Sequence, residues 1–104
     1  DCIHKFFSLS LISSLIYAMD KRILELRQQI DDLDEEIIQL VKKRMGISKE
    51  VGKLKEKLDI PVEDTSRENE IIDRLTKQAG RNLSEEQLIR IFTAVFKSSK
   101  QVQK

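Results

Sequence analysis

At 104 residues the chain is long enough for one domain with one modest core. Charged residues supply 36% of it and aromatics 5%, with one proline, three glycines and no tryptophan, a composition that favours long helices over sheets. Nineteen basic residues against eighteen acidic ones leave a net charge of +1, which gives no support to a nucleic-acid footprint, while a single cysteine, Cys2, and a single histidine, His4, exclude an internal disulfide framework and argue against a Cys/His metal site.

Residues 1–18, "DCIHKFFSLSLISSLIYA", are apolar and serine-rich, and the composition turns charged at "MDKRILELR". The apolar run Phe6–Ala18 is shorter than the ~20 residues a membrane span needs, so no membrane partner is expected. Lys5 before it and Ala18 at its end give it the outline of a signal-peptide core, although Ile16 fits poorly in a small-residue cleavage site. Met19 would make a natural start. Three readings stay open for this extension: an added or upstream-translated segment, an export signal, or a native structured arm. Cytoplasmic location is expected unless the segment is a genuine signal.

From Ile23 the apolar residues step by three and four: Ile23, Leu26, Ile30, Leu33, Ile37, Leu40, then Ile47, Val51, Leu54 and Leu58. This is the seam of one long helix, roughly 50 Å from end to end. Such a helix cannot bury its stripe alone and needs other helices or a second copy of itself. Gly46, inside it, costs about 1 kcal/mol against alanine and is read as permitting close helix approach. Pro61 ends the helix, since proline lacks an amide donor and restricts Ile60. In the turn "DIPVEDTS", Thr65 and Glu68 match a capping box for a short second helix with Ile71, Ile72, Leu75 and Ala79 on its apolar face. Gly80 and Asn82 break it. Ser84 and Gln87 open a third helix, of medium length, striped by Leu88, Ile91, Phe92, Val95 and Phe96. The fold class is all-α, with three helices per chain.

Several polar residues stand where this pattern calls for apolar ones. Arg44 fills the seam position between Leu40 and Ile47, and a guanidinium sheltered there needs an anion beside it. An internal ion pair or a register-setting polar residue would meet that need. Lys55 lies nearly three turns on, on the same face and roughly 16 Å away, so the two cations could hold a small dianion between them. Arg67 falls in the first turn of the second helix, where the helix dipole disfavours a cation and a bound anion would reverse the cost. An exposed pair with Glu63, Asp64 or Glu70 is the plainer account of it. Ser99 and Gln103 continue the third stripe as a hydroxyl and an amide. Arg27, about 25 Å along the axis from Arg44, could share a site with it only by entering from another chain. Together these residues suit a small polyanion.

The run "ILELRQQIDDLDEEIIQLVKKR", followed in order by "VGKLK", "PVEDTSRENEI" and a last helix carrying Ser99 and Gln103, resembles the all-helical chorismate mutases of the stand-alone type. The resemblance covers Met19 to Lys104. It implies an intertwined homodimer with two equivalent sites and the rearrangement of chorismate to prephenate, toward phenylalanine and tyrosine, without cofactor or metal. By that match Arg27 is donated across the interface, and Arg44, Lys55, Asp64, Arg67, Glu68, Ser99 and Gln103 come from the other chain to bind substrate. Arg44, Lys55 and Gln103 are the residues implied in catalysis. The resemblance also leaves two alternatives: an isochorismate–pyruvate lyase of the same fold, and a non-catalytic helical dimerisation or regulatory module.

Overall fold

In the computed structural model, which describes residues 10–104, every regular element is a helix: α1 (Ser10–Lys57), α2 (Thr65–Ala79) and α3 (Glu85–Gln103). Cys2, His4 and the first half of the extension lie outside the described residues, and from Ser10 onward the backbone is already part of α1. No helix among the described residues is long and apolar enough to cross a membrane.

The chain divides into two compact units, Asp1–Ile38 and Gln39–Lys104. In the first, the seam residues Ile23, Leu26, Ile30, Leu33 and Ile37 are between 44% and 57% exposed. The apolar stripe of this stretch of α1 is therefore uncovered within a single chain. In the second unit the rest of α1 lies with α2 and α3 around a small core. Ile71, Leu88 and Phe96 are buried there, and the ring of Phe92 stands tilted against Phe96 with centroids 5.9 Å apart. The α2 face expected from the sequence is the one turned inward, with Ile72, Leu75 and Ala79 half-buried beside Ile71. On α3, Ile91 departs from its predicted place and is 51% exposed. Leu40, Ile47, Leu54 and Leu58 of this unit are also largely exposed.

The ends of the helices are set by local chemistry. α1 stops at Lys57, four residues short of Pro61. Asp59 takes a left-handed conformation (φ 56°), the Ile60 amide donates to the Lys55 carbonyl at 2.8 Å, and the Asp59 amide donates to that of Glu56 at 3.3 Å. This is a Schellman turn with aspartate in the place glycine usually takes. The stop thus precedes the proline, which then keeps the chain from resuming the helix. α2 is capped by Asp64, not by Thr65: the Asp64 carboxylate accepts the Arg67 amide at 3.0 Å, and Thr65 is already helical. An aspartate in this position satisfies an orphan amide and favours the helix dipole as well. Gly80 ends α2 at φ 68° and ψ −148°, a region essentially closed to side chains. The Ser84–Gln87 capping box of α3 forms as expected, with bonds of 2.9 and 3.1 Å.

The close helix approach expected at Gly46 occurs at Gly52. Nothing lies within 4 Å of a Cβ built at Gly46, whereas one at Gly52 would meet the Gln103 Cα at 2.6 Å and its carbonyl oxygen at 2.8 Å. Gly52 lets the end of α3 settle directly on α1.

Candidate active site

A cavity of about 460 Å³ opens within the second unit. Seven of the eight residues singled out in the sequence line it: Arg44 and Lys55 from α1, Asp64 from the connection, Arg67 and Glu68 from α2, and Ser99 and Gln103 from α3. Arg27, the eighth, is exposed on α1 and is not among the lining residues. Ile47, Val51, Ile71 and Phe96 supply apolar wall.

Arg44 and Lys55 face the cavity because eleven residues bring α1 round to nearly the same azimuth, as the helical repeat requires. Arg44 is half-buried, its guanidinium carbon lies 5.9 Å from the centre of the Phe96 ring, and Nη1 donates a short hydrogen bond to the hydroxyl of Ser99. Burial, and second the charge of Arg67, hold the Arg44 pKa below its ordinary value. Two guanidiniums close enough to repel across a cavity make a place for an anion. Arg67 itself reaches Glu70 at 2.7 Å, one of the pairings the sequence allowed, with half of its side chain exposed.

The internal hydrogen bonds leave donors rather than acceptors turned toward the cavity. Ser99 Oγ accepts from Arg44 and also from Ser48, at 3.2 Å. A hydroxyl has two acceptor sites and one proton, so the proton of Ser99 is left for something else. Lys55 Nζ donates to the Val62 carbonyl and to Gln103 Oε1, each at 3.0 Å, and a third N–H remains. Because an ammonium can only donate, the atom of Gln103 facing Lys55 is the carbonyl oxygen, and the amide NH2 is the free end. Donors on Arg44, Lys55, Ser99 and Gln103 therefore converge, with Glu68 as the half-buried acceptor among them.

Two polar lining residues were not picked out from the sequence. Ser48 is buried and braces Ser99. It stands one turn after Arg44, a spacing that would have marked it. Lys100 touches both Glu63, at 3.1 and 3.3 Å, and Glu68, at 3.2 Å. Its hydrogen bonds to Glu63 first, and Glu68 second, raise its pKa. A lysine beside the Ser99 stripe looks like a solvated residue in sequence, and only the fold brings two glutamates to it.

The chain carrying this cavity is similar to known proteins in sequence and in fold. A family model described as chorismate mutase type II matches residues 26–104. A protein of Methanocaldococcus jannaschii named chorismate mutase is 33% identical over 87 residues, which is 83% of this chain and 88% of that protein. The bifunctional chorismate mutase/prephenate dehydratase of Aquifex aeolicus is also 33% identical, over 77% of this chain, but the match spans only 23% of that longer protein. Among solved structures, a conserved hypothetical protein from Pyrococcus furiosus superposes with a TM-score of 0.67 at 35% identity, covering 80% of this chain and 96% of that one. With the family model matching most of the chain and a relative of nearly the same length aligned along it, the chain belongs to the chorismate mutase type II family.

Proposed function

We propose that the protein is a chorismate mutase, rearranging chorismate to prephenate in a site completed by a second copy of the chain. The observation that carries this reading is the convergence of unused donors from Arg44, Lys55, Ser99 and Gln103 in one cavity beside a single half-buried acceptor, Glu68. Chorismate has two carboxylates, a ring hydroxyl and an ether oxygen that gains negative charge as its bond to carbon breaks. That pattern of charge is the complement of this donor set.

In the proposed mode Arg44 and the partner subunit's Arg27 clamp one carboxylate, a geometry in which each guanidinium can bind through two bonds. Arg67 and the Ser99 proton meet the other carboxylate. Glu68, with the Asp64 backbone, accepts the ring hydroxyl. Lys55 and the Gln103 amide donate to the ether oxygen and so act where charge develops, in the manner of an oxyanion hole. Holding the enolpyruvyl side chain over the ring adds an orientation term. The reaction is pericyclic and asks no side chain to give or take a proton.

The dimer is supported by what one chain leaves uncovered. Only Ile71, Leu88 and Phe96 are buried apolar residues among those described, while the α1 seam stays open along its length. A core that small does not offset the chain entropy of a domain this size, and pairing of two α1 seams would bury the stripe. The proposed mutase domain is 19–104.

The test of function is a spectrophotometric assay of chorismate loss with product identification. Prephenate is the expected product. Release of pyruvate from isochorismate instead would favour the lyase reading, and loss of neither substrate would favour a non-catalytic module.

A further inference from the structure

We propose that Lys100 is a positioning residue for the substrate site, acting through Glu68. This rests on the reading of the cavity as the mutase site and adds to it a residue that no sequence pattern marks.

Three other ion pairs among the described residues join exposed helix neighbours, and they differ from this one in shelter. The side chains in Lys53–Glu50, Arg67–Glu70 and Arg90–Glu86 are all 50% exposed or more, and such pairs contribute little. In Lys100–Glu68 the two side chains are 26% and 23% exposed, and the nearest approach is 3.2 Å between Nζ and Oε2. The same ammonium holds Glu63 through both carboxylate oxygens, at 3.1 and 3.3 Å. One cation on α3 therefore ties together the connection after α1 and the first turn of α2. It also lines the cavity with Glu68.

This arrangement answers a problem of charge. Glu63 and Glu68 both reach a single nitrogen, so they stand close enough to repel, and without the ammonium between them the carboxylate of Glu68 has reason to leave the cavity wall. The cations facing Glu68 are Lys100 on α3, Arg67 on α2, and Arg44 and Lys55 on α1; the carboxylates are Glu63 and Asp64 in the connection. Arg67 is turned to Glu70 and Lys55 to Gln103 and Val62, so Lys100 is the cation engaged with Glu68. A carboxylate has about four acceptor sites, and one ammonium leaves room for a substrate hydroxyl. Lys100 thus fixes where that hydroxyl is bound without touching the reacting atoms.

The test is a double-mutant cycle on the full chain, with prephenate formation as the readout. Lys100→Met is expected to lower kcat/KM by about 10- to 100-fold, the range for a misplaced binding group, with most of the loss in KM. Lys100→Arg restores most of it. In a Glu68→Gln background, Lys100→Met costs little more, because its route to the site is already lost. Lys100→Gln, which keeps a polar group, serves as a second variant should the methionine variant fold poorly, and thermal midpoints report folding for all of them. An unchanged kcat/KM in both Lys100 variants, or losses at Lys100 and Glu68 that simply multiply, would overturn the positioning role. A wild-type chain that forms no prephenate would overturn the functional reading itself, and with it this one.

Discussion

At the scale of single residues, the cavity works by using up acceptors. Lys55 and Gln103 bind each other in such a way that each keeps a donor free, and the same is true of Ser99 between Arg44 and Ser48. Removing a donor proposed to meet the ether oxygen should strike the transition state more than the ground state. Lys55→Ala is therefore expected to lower kcat by about two to three powers of ten, measured under saturating chorismate. Near-wild-type turnover would sink its assignment. Gln103→Glu should instead change the pH dependence. The new carboxyl can donate only when protonated, and Lys55, 3.0 Å from the present oxygen, favours its ionised form. Activity should thus be low at neutral pH and rise toward acid, and a pH profile of kcat/KM shows it. A flat comparison with the wild type would remove Gln103 from the ether oxygen.

At the scale of elements, the positions of the helices were legible, and their ends less so. The spacing of Ile71, Ile72, Leu75 and Ala79 determines which face of α2 turns inward, and the Ser84–Gln87 pair marks the start of α3. The capping residue of α2 slips by one because Asp64 and Thr65 are both good caps and the pattern cannot rank them; the carboxylate takes the Arg67 amide. Arg44, Ser99 and Gln103 were legible because each interrupts or extends an apolar stripe, and Lys55 because it lies nearly three turns from Arg44 on one face. Lys100 and the role of Gly52 were not, since both depend on contacts between residues distant in the chain, Lys100 with Glu63 and Glu68, and Gly52 with Gln103. Gly52 permits the seat of α3 on α1, so Gly52→Ala forces Cβ into the backbone of Gln103. The expected cost is about 1–3 kcal/mol of stability, as for other overpacked sites, together with a loss of turnover as Gln103 moves away. Denaturant unfolding and kcat measured on the same preparation check both parts. Gly46→Ala, in open space, should instead be neutral or stabilising by up to about 1 kcal/mol.

At the scale of the whole molecule, the proposed dimer rests on the uncovered α1 seam, and the proposal that Arg27 crosses to the partner's site can be tested directly. The single measurement that tests this most directly mixes two inactive variants, Arg27→Ala and Arg44→Ala, refolded together from denaturant. In a two-fold dimer that shares sites, a mixed pair contains one site with both substitutions and one with neither. Random pairing then restores about a quarter of the wild-type sites, so prephenate formation should recover to about a quarter of the wild-type rate. Recovery no greater than the sum of the two variants alone would contradict a site built from two chains.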